Sequence, residues 1–180
     1  MGGIVLSSPQ QIGDTLLATH AIRALKRAFP DERITVCCPD AGGAWQVLQH
    51  NKHIDDLRVA GAGEAARLPG RHARLDPEPA LRMGWGYAKP FAWCYGRLLG
   101  VEVDDLRYDY VVTPAERDEA AALARTLGEG RPIVVVARHS VSCLSNHPAV
   151  RVANKCVANP YWLVCAEALA KRGYVPVAIG

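Results

Sequence analysis

Apolar and polar residues alternate along this chain in a strand–helix rhythm. Residues 3–7 read as a short buried strand, after which Ala18, Ala21, Ile22, Leu25 and Phe29 fall on one stripe with helical spacing. The stripe predicts a helix over residues 16–29, with Arg23, Lys26 and Arg27 on its far side and last turn and Pro30 as its stop. Residues 34–38 form a second predicted strand ending at Pro39, residues 42–50 a short helix, and residues 57–60 a third strand. This is a β-α-β-α-β order, which calls for a parallel sheet.

Between Gly61 and Lys89 the periodicity dissolves into Gly, Pro, Arg and Ala, so a long excursion with short pieces of structure is expected there. Residues 90–99 resume as a helix closed by Gly100, and residues 108–112 read as another strand. Thr113-Pro114-Ala115-Glu116 is a capping box with proline at the first helical position, opening a helix through Leu127 that Gly128 and Gly130 end.

Residues 133–137 are apolar throughout, the pattern of a strand buried on both faces. A polar loop follows over 138–159, then a helix capped by Asn159-Pro160, carrying Trp162, Leu163, Ala166, Leu169 and Ala170 and ended by Gly173, then a strand over 174–179. One βαβ unit cannot bury both faces of its own sheet. The expected organisation is therefore a Rossmann-like domain over 1–130 and the opening βαβ of a second over 131–180, as in a fragment or a truncated homologue.

Composition narrows the class. The chain of 180 residues is 49% hydrophobic and 22% charged, which suits a globular protein and excludes disordered and collagen-like chains. Its apolar runs are far short of a membrane span and no basic-then-apolar leader opens it, so a cytoplasmic location is expected, with peripheral contact to the inner membrane face. A net charge of +3 with interspersed signs argues against a nucleic-acid partner. The six cysteines, two of them adjacent in a predicted strand, read as reduced thiols.

The candidate chemistry begins at Asp14, in Ile12-Gly13-Asp14-Thr15 between the first strand and first helix. Open α/β sheets hold their ligands at that junction. Asp14 has two readings from spacing: a general base, or the N-cap of a helix beginning at Thr15.

Beyond spacing, the chain resembles glycosyltransferase family 9, the heptosyltransferases of lipopolysaccharide core assembly. The residues that carry the resemblance are the run from Ile12 to Leu17, the run from Ala21 to Lys26 with Phe29-Pro30, Ile34-Thr35-Val36, Val47-Leu48 with Ile54-Asp55, and Leu99-Gly100-Val101. Trp162 through Ala170 and Arg172-Gly173-Tyr174 complete the set.

The resemblance implies the type B glycosyltransferase fold: two Rossmann-like domains facing a cleft, with the acceptor on the first and a nucleotide-sugar donor mainly on the second. It implies inverting transfer to a saccharide or lipid-linked saccharide, with a nucleotide-sugar as co-substrate, no metal and no other cofactor. It makes Asp14 the base, with Gly13 beside it at the acceptor, and places Lys155 at the donor phosphates, with Ser140 and Ser142 as accompanying hydroxyls. The family's short Pro-Gly loop before this lysine is replaced here by Arg138-His139-Ser140-Val141-Ser142 and a longer stretch. The family's contacts to the nucleotide base would lie beyond Gly180, in a missing C-terminal domain or partner chain.

Other constellations compete. Arg67, Arg71, His72, Arg74 and Arg82 with Trp85 and Tyr87 suit an acidic or phosphorylated glycan acceptor, through guanidinium forks and ring stacking. The same stretch also reads as a mobile loop balanced by Glu64, Asp76 and Glu78. His139, Cys143, His147 and Cys156 lack paired zinc-ligand spacing, and no Gly-x-Gly-x-x-Gly joins the first strand to the first helix. The alternative to an enzyme is a non-catalytic nucleotide- or glycan-binding module that completes its fold with a partner chain.

Overall fold

The structure is a computed structural model that describes residues 3–9, 11–40, 43–76, 90–137 and 159–179. Its contacts divide it into two units, meeting at Val111 and Val112. The sequence pattern places that boundary after residue 130; in the contacts, the helix that follows Thr113 goes with the second unit.

The first unit is a four-stranded parallel sheet. Strands β1 (Ile4–Ser7), β2 (Ile34–Cys38), β3 (Asp56–Val59) and β4 (Arg71–Arg74) lie in the order β3-β2-β1-β4. Helices α1 (Ile12–Ala28), α2 (Gly43–Leu48), α3 (Ala62–Ala65) and α4 (Phe91–Leu99) connect and cover them. Alternation along the strands divides the core: Ile4, Leu6, Ile34, Val36 and Cys38 face α1, α2 and α4, while Val5 and Cys37 face Ala65 of α3. Every residue of β2 is buried, as a central parallel strand requires.

The described part of residues 61–89 carries short pieces of structure, as expected, but no pattern in the sequence singled out one of them, β4, as a strand of the sheet. Its sequence, Arg71-His72-Ala73-Arg74, has no apolar run, yet it pairs with β1 from Ile4↔Arg71 to Ser7↔Arg74. It is an edge strand with only Ala73 packed on the core, so backbone pairing and not hydrophobic pattern places it.

On α1 the predicted stripe holds for Ala18, Ala21, Ile22 and Leu25, all buried, but Phe29 lies past the helix and is partly exposed beneath the Arg71 guanidinium. Arg23, expected on the outer face, is buried. Its guanidinium donates to Asp109 Oδ1 at 2.8 Å and to the Asp105 carbonyl at 2.7 Å.

These bonds explain why residues 108–112 are not the strand their pattern predicts. Residues 105–109 run as a strap along α1 instead. The Asp109 N–H donates to Thr19 Oγ1 at 3.3 Å, and His20 Nε2 lies 2.8 Å from the Leu106 carbonyl with its ring 5.0 Å from that of Tyr108. Side chains of a helix take the place of a sheet neighbour in satisfying the backbone.

The second unit holds α5 (Pro114–Gly128), β5 (Ile133–Ala137), α6 (Asn159–Lys171) and β6 (Val175–Ile179), with β5 and β6 paired in parallel from Ile133↔Val175. The capping box forms as predicted: the Glu116 N–H donates to Thr113 Oγ1, and the Thr113 N–H donates to Glu116 Oε2 at 2.8 Å. β5 is not buried on both faces: Val135 is 58% exposed, and Leu163, Val164 and Ile179 are exposed as well.

Two stability predictions follow from the polar contacts of the first unit. Arg23 is buried and Asp109 partly so, and removing the arginine leaves that carboxylate without its counter-charge, so Arg23→Ala should cost about 2–4 kcal/mol in urea unfolding. Asp55 accepts the Ile34 N–H at 2.7 Å and the Lys26 ammonium at 2.9 Å. Burial alone would raise this carboxyl, but those two donors outweigh it and hold it below the usual range. A lowered native value means stability that is present above the unfolded value, about 3.9, and lost as pH falls through the native one. Asp55→Asn should therefore be less stable than the parent at neutral pH, with the gap narrowing below about pH 4 in unfolding curves taken across pH.

Candidate functional site

The chain runs from β1 to β2 to β3 in one direction across the sheet, then returns past β1 to place β4 on its other side. The order reverses between β1 and β4, and the crevice beyond the carboxyl ends of such strands is where open α/β sheets bind ligands. A cleft of about 340 Å³ opens there. Ser7 and Ser8 of the β1 end, Gln11 and Asp14 of α1, and Arg74 and Asp76 of the β4 end line it, with Cys37, Pro39 and Ala60 from the neighbouring strands.

Local hydrogen bonds hold these walls. The Leu75 N–H donates to the Ser7 carbonyl at 3.0 Å, extending the β1–β4 ladder so that Arg74 and Asp76 flank the cleft. The Ser8 N–H donates to the Cys37 carbonyl at 2.9 Å. Thr15 is wholly buried, and its hydroxyl lies 2.9 Å from the Gln11 carbonyl and 3.2 Å from that of Pro9. That residue fixes the β1–α1 turn; its position directly after Asp14 is the signal the sequence offered.

Asp14 is not the N-cap. α1 begins three residues earlier than Thr15, Gln11 occupies the cap position without a side-chain bond, and Asp14 stands third in the first turn. A carboxylate in that turn is stabilised by the helix dipole. It is partly buried, lines the cleft, and among the described residues makes no hydrogen bond or ion pair. Asp76 across the crevice is engaged by the Arg74 guanidinium at 3.4 Å.

The other predicted site residues divide. Gly13 is exposed beside Asp14, and a Cβ there would meet nothing within 4 Å, so packing does not require glycine. Arg74 is in the cleft with its side chain 78% exposed. Arg71 is not: it begins β4, opposite Ile4 at the amino end of the sheet, and it faces Glu32 and the Phe29 ring. Over three residues of strand, that separates it from Arg74 by about 10 Å. His72 lies between them with Nε2 2.9 Å from the Leu68 carbonyl. Trp85, Arg82, Tyr87, Ser140, Ser142 and Lys155 lie outside the described residues, as do His139, Cys143, His147 and Cys156.

Two further groups bear on the cleft: Cys37, already expected to be a reduced thiol, and Tyr95, which the sequence did not single out. Cys37 is a buried free thiol, and burial, only partly offset by the Arg58 charge, pushes it up, so it is protonated and no nucleophile. Tyr95 of α4 is completely buried in the cluster that contains Leu75, and its hydroxyl has no partner among the described residues. Burial first, then the charges of Asp14 and Asp76, push its phenol well above the usual range. The described residues contain no cluster of three or more metal-ligating side chains and no helix long and apolar enough to cross a membrane.

No known family profile and no curated protein matches the chain. Solved structures do. A family 9 glycosyltransferase from Veillonella parvula aligns over 99% of this chain and 62% of its own, with a TM-score of 0.66 at 18% identity. The ADP-heptose lipopolysaccharide heptosyltransferase II of E. coli aligns over 99% and 64%, with a TM-score of 0.65 at 16% identity. The iron-containing dodecameric glycosyltransferase TibC of E. coli aligns over 99% and 42%, with a TM-score of 0.58 at 15% identity. The chain spans about three-fifths of the length of the first two. At these identities the likeness is one of fold: this chain has the parallel α/β fold found in glycosyltransferase family 9 structures.

Proposed function

We propose that the protein is the acceptor-side part of an inverting glycosyltransferase of the heptosyltransferase type, with Asp14 as its general base. The observation that carries this reading is a partly buried carboxylate, with no hydrogen bond or ion pair among the described residues, at the switch-point crevice of a fold shared with such enzymes. The acceptor is a saccharide or lipid-linked saccharide, presented at the cytoplasmic membrane face.

In this mechanism a hydroxyl of the acceptor donates to an Asp14 oxygen. As the proton passes to the carboxylate, the hydroxyl oxygen bonds to the anomeric carbon of the donor, and the bond from that carbon to the nucleotide diphosphate breaks on the opposite face. Configuration inverts, and the electron pair leaves with the diphosphate. Lys155, with Ser140 and Ser142, is the proposed counter-charge to that leaving group, a task for which an ammonium suffices without a metal. Arg74 supplies an exposed guanidinium at the cleft for an acidic group on the acceptor, and Trp85 a ring on which a sugar stacks.

Asp14→Asn in the protein at its natural length should lower kcat by about 100-fold or more, as loss of a general base does, with acceptor KM little changed. The assay is release of nucleoside diphosphate from a panel of nucleotide-sugars with saccharide acceptor. Retained turnover in the variant rejects Asp14 as base. Binding by the parent without turnover favours the non-catalytic glycan- or nucleotide-binding module.

Gly13 tests the acceptor position. Gly13→Ala puts a methyl group into open space on a helical turn and should stabilise the fold by about 0.5–1 kcal/mol. A rise in melting temperature together with a several-fold rise in acceptor KM is the expected pair of results. Stabilisation with an unchanged KM removes Gly13 from the acceptor site.

A further inference from the structure

A recess of about 310 Å³ lies in the first unit, where three segments distant in sequence converge. Arg23 and Arg27, one helical turn apart, enter it from α1. Lys52 and His53 come from the turn ahead of β3, where Asn51 Oδ1 accepts the His53 N–H at 2.9 Å. Arg107 comes from the strap, together with Asp105 and Asp109. None of these residues lines the cleft at Asp14, and Arg23 stands about 13 Å farther along the axis of α1 than Asp14.

The recess carries an excess of positive charge. Arg23, Arg27, Lys52 and Arg107 line it against two carboxylates, Asp105 and Asp109. Asp104 also reaches Arg27, at 3.3 Å, but both side chains are more than half exposed and water screens such a pair. Glu78 is the one Asp or Glu of the sequence outside the described residues, so those segments bring at most one carboxylate to set against the excess. The two carboxylates in the recess orient its cations. Arg23, 6% exposed, donates to Asp109 Oδ1 through one terminal nitrogen and to the Asp105 carbonyl through the other. Arg107 grips Asp105 through Nε and Nη2. A guanidinium carries more N–H donors than these contacts use.

We propose that this recess binds a phosphate monoester, with Lys52, Arg27 and Arg107 on its oxygens and Arg23 behind them. Guanidinium forks match the paired oxygens of a phosphate, and an ammonium adds a point charge. The volume is at the lower end of small-ligand sites and admits a phosphate with the sugar or glycerol that bears it.

The His53 ring, which shares the recess, reports on its occupant. Burial first, and then the charges of Lys52, Arg23 and Arg27 against the opposing Asp109, hold this imidazole below its ordinary value. A dianion set among those cations favours the imidazolium. Saturating inorganic phosphate, added to the full chain at constant ionic strength, should therefore raise the His53 titration midpoint by about half a pH unit in NMR spectra assigned with His53→Gln. Lys52→Gln, at an exposed position, should raise the phosphate Kd about fivefold or more, the loss of one charge-assisted contact. A response that does not saturate, or one with the same Kd in parent and Lys52→Gln, overturns the proposal. Displacement of phosphate by glucose 6-phosphate, with no sedimentation on phosphatidylcholine vesicles containing phosphatidic acid, assigns the monoester to a sugar. Sedimentation on those vesicles that Lys52→Gln weakens assigns it to a lipid headgroup. Displacement by neither overturns the assignment to a phosphate monoester.

Discussion

The site depends on the pairing of β1 with β2 on one side and β4 on the other. Both ladders are parallel and in register from Ile4, so the carboxyl ends of the three strands finish level. Without β4, β1 would be an edge and the crevice would have one wall. With it, the turn into α1 emerges between two strands reached from opposite directions along the chain, and the first-turn carboxylate of α1 meets the residues that follow β4. The constraint is a backbone one, since β4 contributes little apolar surface of its own.

α1 serves that arrangement at both ends. Its carboxyl-terminal half is fastened by polar side chains: Thr19, His20 and Arg23 hold the strap at residues 105–109, and Lys26 reaches Asp55. Its amino-terminal turn is fastened by Thr15, whose hydroxyl closes on the turn before it. Apolar burial of Ala18, Ala21, Ile22 and Leu25 fixes the helix between these points. A 17-residue helix held over most of its length can place one short side chain at its tip with little freedom. That is the requirement for a base that must meet a hydroxyl within hydrogen-bond distance.

What could be read from the sequence follows from which forces are written in side chains. β1, β2, β3, α1, α4, α5, α6 and β6 were legible to within a few residues because each carries an apolar stripe, a cap or a stop. β4 was not, because Arg71-His72-Ala73-Arg74 pairs through its backbone and has only one small residue to show for the core. The strand expected at residues 108–112 failed for the converse reason: its β-like composition is used against a helix, and the reward for that placement lies in Arg23, which reads as a surface charge. At the site, the location of Asp14 was legible and its place within the helix was not, since Gln11 caps with no characteristic side-chain bond. Arg71 and Arg74 looked equivalent in sequence, yet they stand at opposite ends of a strand, a distinction that only the ladder register makes.

The electrostatics of the first unit separate structural carboxylates from the candidate catalytic one. Glu32, Asp56, Asp76, Asp105 and Asp109 are partly buried, and each is matched by an arginine. Asp105 is the extreme case, held far below the usual carboxylate range by the bonds it accepts from Arg107. Such a group is a poor base, because the partners that stabilise its charge oppose taking up a proton. Asp14 is partly buried as well, and among the described residues what stands nearest to a counter-charge is the amino terminus of its own helix. Among the described residues of this unit, the other partly buried carboxylates are each paired with an arginine, and Asp14 faces the cleft without such a pair.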